Sequence, residues 1–255
     1  MLTSGQVVLV TGAARGLGWG IARAFGIAGA RVCVTDLSEA ELARCARDLA
    51  ADGAEFEARR SDVADLADCK SVVKGIVERW GRLDVVVHNA IYMPLITFEA
   101  TTPEEWQRQI DVGIGGMVNC IRAAWDQMKS QGGGHIIGIA SGSSVRGYKE
   151  EVAYCTVKHG IEGLVKALSL EAKGHHIALN TIGPGARIKP TRITWAEIDA
   201  TPEESRAAWA DPVELGKAWV WLAAQPPSRF SGYRFDAAKV VETIEREGTD
   251  FAFAV

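Results

Sequence analysis

The 255-residue sequence predicts a single α/β domain, a doubly wound and mainly parallel sheet of seven strands flanked by helices. Three observations carry that expectation. Short apolar runs alternate with helical patterns along the chain, the order that parallel strands joined by helices require. The first apolar run enters a glycine-rich turn and then a helical pattern. No repeat, low-complexity tract or linker divides the chain, so 1–255 reads as one domain.

The elements follow in order. Val7–Val10 is short, apolar and largely β-branched, as a strand buried on both faces should be, and it opens a strand over 7–11. The turn Thr11-Gly12-Ala13-Ala14-Arg15-Gly16-Leu17-Gly18 leads into a helix over 17–28. Further strands are expected over 31–35, 54–60, 84–88, 135–140, 177–182 and 233–235. Helices are expected over 38–52, 65–80, 103–130, 151–173 and 212–224. Thr102-Pro103-Glu104-Glu105 and Asp211-Pro212 are helix starts, a capping side chain followed by proline in the first turn. Within 103–130, Gly113, Gly115 and Gly116 each weaken a helix by about 1 kcal/mol relative to alanine, so a kink is expected there. Right-handed crossovers would place a ligand across the carboxyl ends of the strands.

Composition narrows the function. The net charge of −4 gives no basic field for nucleic acid or a membrane surface. No apolar run approaches the length that spans a bilayer. The N-terminus enters the first strand within a few residues, which leaves no room for a signal peptide. Cys33, Cys45, Cys69, Cys120 and Cys155 are scattered without a C-x-x-C pair, which fits a reducing cytosol. A cytoplasmic location is expected. His175-His176 has no cysteine or acidic cluster at metal-ligand spacing, so no metal is expected.

Glycines after the first strand permit a tight turn, and a helix N-terminus offers N–H groups and a positive dipole end to a phosphate. The spacing is Gly-x-x-x-Gly-x-Gly. Asp36 ends the second strand, where a carboxylate can accept hydrogen bonds from both adenosine ribose hydroxyls and repels a 2′-phosphate. NAD is therefore expected over NADP. Arg15 points the other way, because a cation beside the turn could hold that phosphate. Farther on, Tyr154 and Lys158 lie four apart and share a helix face. Ser141 follows the apolar run HIIGIA at a strand end, facing that helix. A hydroxyl, a phenol and an ammonium meeting at one point make a proton-transfer device.

Six motifs in order make the chain resemble the short-chain dehydrogenase/reductase family, which has a compact Rossmann-type fold. Thr11–Gly18 is similar to the family's TGxxxGxG turn. Asp62-Val63 resembles the aspartate that reads the adenine amino group. His88-Asn89-Ala90 stands where NNAG is usual, and Ser141, Tyr154 and Lys158 match the catalytic residues in order and spacing. Asn180 through Pro184-Gly185 resembles N-x-I-x-P-G, and Ser231 through Asp236 resembles the last strand. The resemblance implies hydride transfer between nicotinamide and an alcohol or ketone carbon. It implies cofactor contacts from Gly12, Arg15, Gly16, Leu17 and Gly18 in the turn, then Asp36, Asp62, Val63, Asn89 and Ala90. Tyr154, Lys158, Pro184 and Gly185 complete that set. Tyr154 would be the acid/base, brought down from about pH 10 by Lys158 and the oxidised nicotinamide. Ser141 would hold the substrate oxygen. The resemblance also implies a homodimer or homotetramer pairing through helices 103–130 and 151–173, where Gly160, Gly163 and Ala167 permit close approach. Two other readings stay open: an NAD-binding redox sensor with little turnover, and an isomerase or dehydratase using the same tyrosine.

Departures from the pattern matter. Gly113 takes the place of an asparagine whose backbone carbonyl, in the family, holds a water in a proton relay to the lysine. Gly113→Asn should leave turnover similar or raise it, and a large loss would show that the open space there has a purpose, such as admitting substrate. His88 is expected to be structural, and Ile91 to alter the local backbone. Tyr92, Met93, Ser143, Tyr148, Arg187 and Trp195 are the candidate substrate residues. Residues 186–211 form a long segment that, in the family, closes over substrate. Arg146, Lys149, Arg187, Lys189 and Arg192 make a basic rim, which fits an anionic substrate or plain solvated loop charge. The tail over 237–255 is expected to hold a helix at 239–247 and an apolar end that docks on the domain or a neighbouring subunit.

Overall fold

The computed structural model describes residues 3–251. Seven strands form one parallel sheet: β1 (Val7–Thr11), β2 (Arg31–Asp36), β3 (Glu55–Arg60), β4 (Val85–His88), β5 (Gly134–Ile139), β6 (Ile177–Gly183) and β7 (Arg234–Asp236). Their order is β3-β2-β1-β4-β5-β6-β7. The direction of winding reverses between β1 and β4, and this crevice at the carboxyl ends is where an open α/β sheet takes a ligand. β1, β4, β5 and β6 are buried throughout, as strands covered on both faces must be, whereas edge strand β3 is only half-buried.

The helices are α1 (Gly16–Ile27), α2 (Glu39–Ala51), α3 (Leu66–Trp80), α4 (Pro103–Ile110), α5 (Gly116–Ser130), α6 (Val152–Ala172), α7 (Trp195–Ala200), α8 (Glu203–Arg206), α9 (Pro212–Ala223) and α10 (Ala237–Glu247). The capping signals work as expected. Thr102 accepts from Glu105 N and Asp211 from Val213 N, each just ahead of a first-turn proline. Two apolar cores lie on the two sides of the sheet, one built around Phe25, Trp219 and Trp221, the other around Met117, Met128 and Ile161.

Three expectations need correction. The single helix over 103–130 is three pieces, because Asp111–Gly115 winds as a π-helical turn between α4 and α5. Glycines there tolerate the wider winding, and such bulges frequently stand at functional sites. The segment 186–211 is not a bare loop, since α7 and α8 lie within it. The last helix starts at Ala237, two residues ahead of the expected 239, with Asp236 as its cap.

The first residue of the apolar tail, Phe251, packs on its own domain. Phe251 is buried, and its ring stacks on Trp221 with centroids 4.8 Å apart and planes 4° from parallel. Trp221 Nε1 donates to Thr249 O at 3.1 Å, and an Arg229 N–H donates to Phe251 O at 2.7 Å. Residues 252–255 lie outside the described residues. Phe251→Ala should cost about 3 kcal/mol in denaturant unfolding, the usual loss for a buried phenylalanine. An unchanged unfolding midpoint would remove the tail from the fold's energetics.

Candidate active site

The carboxyl ends of β1, β2, β4, β5 and β6 open on one cavity of about 680 Å³. That volume suits a cofactor-sized ligand. Gly12, Arg15, Gly16, Leu17, Asp36, Asp62, Val63, Asn89 and Ala90 line one part of it, with Ser141, Tyr154, Lys158 and Pro184 in the other. The structure therefore brings most of the residues named from sequence together.

At the glycine turn, Gly12 and Gly16 have positive φ, 61° and 62°. A side chain at Gly12 would also meet the Ala90 backbone, 2.6 Å away. Asn89 ties β4 to this turn, its Nδ2 donating to Thr11 O at 3.0 Å and Gly12 O at 2.7 Å. Gly18 does not line the cavity; its lack of a side chain makes room for that asparagine. No side chain caps α1, so its first-turn N–H groups are left for a ligand. Asp36 is fixed by the N–H groups of Ala14 at 3.2 Å and Ser38 at 3.1 Å. Arg15 pairs with Glu41.

At the other end, Ser141, Tyr154 and Lys158 converge. Ser141 follows β5, and the turn after it is locked by a capping box in which Ser141 N donates to Ser144 Oγ at 3.1 Å. Tyr154 and Lys158 project from α6 and are almost fully buried, at 8% and 3% exposure. Lys158 Nζ donates to Ile139 O at 2.7 Å and lies 5.5 Å from the Tyr154 ring centroid. Burial lowers the lysine to about 8, with Glu162 opposing. Burial likewise pushes the tyrosine up to about 12, with the Ser141 hydrogen bond pulling it down. From sequence, both Lys158 and the oxidised nicotinamide are expected to bring the phenol down; within the protein itself, burial outweighs the ammonium. Desolvation of the phenolate outweighs an ammonium turned toward a backbone carbonyl.

The π-helical turn reaches this end from behind. Gly113 is buried, and a side chain there would run into Val157, with Ile91 Cδ1 3.2 Å away. The open space expected around Gly113 does not exist. Its carbonyl accepts from His88 Nε2 at 3.0 Å. His88 Nδ1 then accepts from the Thr11 hydroxyl at 3.4 Å. Burial, with help from Lys158, pushes His88 down to about 3, so the ring is neutral and suited to that double role. The carbonyl that the resemblance assigns to a relay water is thus held by a side chain that joins it to β1.

The short chain dehydrogenase family profile matches residues 6–200. The chain belongs to the short-chain dehydrogenase family. Galactitol 2-dehydrogenase of Agrobacterium fabrum is 33% identical to it over 85% of this chain and 86% of that protein. D-threitol dehydrogenase of Mycolicibacterium smegmatis is 32% identical over 89% of each. A metagenomic short-chain oxidoreductase solved with NADP superposes with a TM-score of 0.77, is 28% identical, and covers 92% of this chain and 98% of that one. This short-chain dehydrogenase is an oxidoreductase of a family that uses NAD(P), and its cavity fits such a group. The glycine turn and uncapped helix suit a diphosphate, and the Asp36 carboxylate suits a ribose.

The substrate candidates of the dehydrogenase divide. Tyr92, Met93, Ser143 and Tyr148 line the cavity. The Tyr92 hydroxyl donates to Glu105 at 2.9 Å, under Arg108, and Ser143 Oγ donates to Glu151 at 2.7 Å. Arg187 does not reach it; with Gly185, Arg146 and Arg234 it lines a neighbouring hollow. Trp195 does not line it either: its Nε1 donates to Ala14 O at 2.9 Å and its ring stands edge-on to Trp19. Trp195 therefore pins the 186–211 segment to the nucleotide end. The basic rim does not hold together: Lys189 and Arg192 line the main cavity, Arg146 and Arg187 the neighbouring hollow, and Lys149 neither. Sequence reading missed Ser38, Arg108 and Glu151 as lining residues. Arg108 had a legible signal, one helical turn beyond Glu105 at a marked helix start.

Proposed function

We propose that the chain is an NAD(H)-dependent dehydrogenase acting on a secondary alcohol or the matching ketone. The observation that carries this reading is the meeting of Ser141, Tyr154 and Lys158 at one end of a cavity whose other end holds the glycine turn and Asp36. When bound, the nicotinamide supplies the hydride acceptor or donor. Tyr154 Oη takes the alcohol proton in one direction and returns it to the carbonyl oxygen in the other. Ser141 Oγ holds that oxygen and stabilises charge developing on it. Lys158 Nζ, charged below about pH 8, favours the phenolate once it turns from Ile139 O toward the site. The relatives named for galactitol and D-threitol favour polyols as the first substrates to screen. The screen is NADH formation at 340 nm over polyols, sugars, hydroxy acids and simple secondary alcohols. Silence across all of them, with NADH binding intact, would overturn the dehydrogenase reading. A sensor with little turnover is the second reading, favoured by Gly113 in place of the family's asparagine and by His88 and Ile91 in place of the usual NNAG residues.

Asp36 supports NAD over NADP, and Glu41 supports it further by occupying Arg15. The chain should bind NADH about tenfold or more tightly than NADPH by fluorescence titration, with Asp36→Asn shrinking the ratio, because a carboxylate next to a 2′-phosphate costs more than 1 kcal/mol. Equal affinities would sink the preference. Pairing into a homodimer or homotetramer through α5 and α6 is supported by Leu170, 78% exposed, and by the open space over Gly163. A monomer by light scattering would refute that pairing. A reducing cytoplasm suits the five free thiols.

A further inference from the structure

Lys189 has an unusual position. It stands in the segment after Pro184-Gly185, yet its side chain crosses to the glycine turn. The place a Gly16 side chain would take lies 2.9 Å from Lys189 Cε and 3.1 Å from Nζ. The ammonium donates only to two carbonyls of its own segment, Pro190 O at 3.2 Å and Ile193 O at 3.3 Å. Among the described residues it forms no ion pair: Glu41, the nearby carboxylate, is taken by Arg15 and by Trp195 N, and Glu197 accepts from Thr194. Burial and Arg15 push the lysine down to about 8, against Glu41 and Glu197. A half-buried cation whose nearby carboxylates are bonded elsewhere, facing an uncapped helix N-terminus, is a place for an anion.

The segment is fastened there. Trp195 Nε1 holds Ala14 O, the Arg44 guanidinium lies 3.9 Å over the Trp195 ring, and Arg44 pairs with Asp199 at 3.0 Å. These contacts all join the segment to the nucleotide end. We propose that Lys189 is a diphosphate-binding residue, which the Trp195 latch delivers to the Gly16 turn. It holds the bridging phosphates of the dinucleotide together with the α1 amides. The inference rests on the nucleotide-site reading above and adds a cation to it.

The test is calorimetric titration of ADP-ribose and, separately, adenosine into wild type, Lys189→Met and Lys189→Arg, with thermal melts as folding controls. Lys189→Met should weaken ADP-ribose by about tenfold or more, the loss of one charge-assisted contact, and leave adenosine within about twofold. Lys189→Arg should stay near wild type. ADP-ribose binding unchanged in Lys189→Met, or both ligands weakened equally, would overturn the assignment, the second result showing only a loop support. Wild type binding neither ligand would overturn the nucleotide site itself, and Lys189's role with it.

Discussion

Tyr154→Phe should lower turnover by about 10²- to 10⁴-fold in both directions, the range for loss of a positioned acid/base. Affinity for NADH should change little, since the variant keeps the ring and removes one oxygen. The buried phenol at about 12 also fixes the pH behaviour. A raised phenol is almost wholly protonated at neutral pH, so its base form grows about tenfold per pH unit below its pKa. Alcohol oxidation, which needs that base form, should therefore rise with pH. Ketone reduction, which needs the protonated form, should stay flat through neutrality and fall only as the phenol ionises. Lys158 loses its charge above about pH 8, and with it the attraction that favours phenolate, so the rise in oxidation should flatten beyond that point. Steady-state rates of both directions across pH, for wild type and Tyr154→Phe, check all of this. A variant that keeps more than about a third of wild-type turnover would remove Tyr154 from the chemistry, since acid/base loss never costs so little.

The fold was legible because its signals are local. A β-branched run such as Val7–Val10, a proline in the first turn at Pro103 or Pro212, and a cap such as Asp211 each act within a few residues. The placement of Ser141, Tyr154 and Lys158 was legible for a related reason, since helix periodicity sets two of them and a strand end the third. What sequence could not supply was the outcome of packing. The height of the phenol's pKa depends on how completely α6 is covered, which no spacing encodes. Its place in a long segment makes Trp195 a substrate candidate, whereas its indole bonds Ala14 O, 181 residues away in sequence. A structural role for His88 is legible, while its particular hold on Gly113 O depends on β4 and the π-helical turn being packed together. Arg187 failed in the same way, carried past Gly185 into the neighbouring hollow rather than the main cavity.

Gly113→Asn should lower kcat/KM by about 10²-fold, the reverse of what the sequence pattern alone allows. A side chain there collides with Val157 Cγ1, and Val157 is fully buried on α6, immediately before Lys158. A closely packed core does not absorb such an insertion without backbone movement, at about 1–3 kcal/mol. The part that must yield is α6 or the π-helical turn. If α6 shifts, Tyr154 and Lys158 move with it, and a displacement of about 1 Å at reacting groups costs about 10²-fold in rate. If the turn shifts, Gly113 O leaves His88 Nε2, and a buried neutral imidazole loses the acceptor of its one N–H. Both routes should lower the unfolding midpoint, and kcat/KM should fall while the substrate stays the same. Val157→Ala trims the colliding methyl groups, so Gly113→Asn combined with Val157→Ala should recover much of the lost rate, although Val157→Ala alone opens a small cavity. Such non-additivity separates a steric cause from a lost relay. Wild-type activity in Gly113→Asn would mean that the turn repacks freely, and that its glycines are there for winding rather than for contact with Val157.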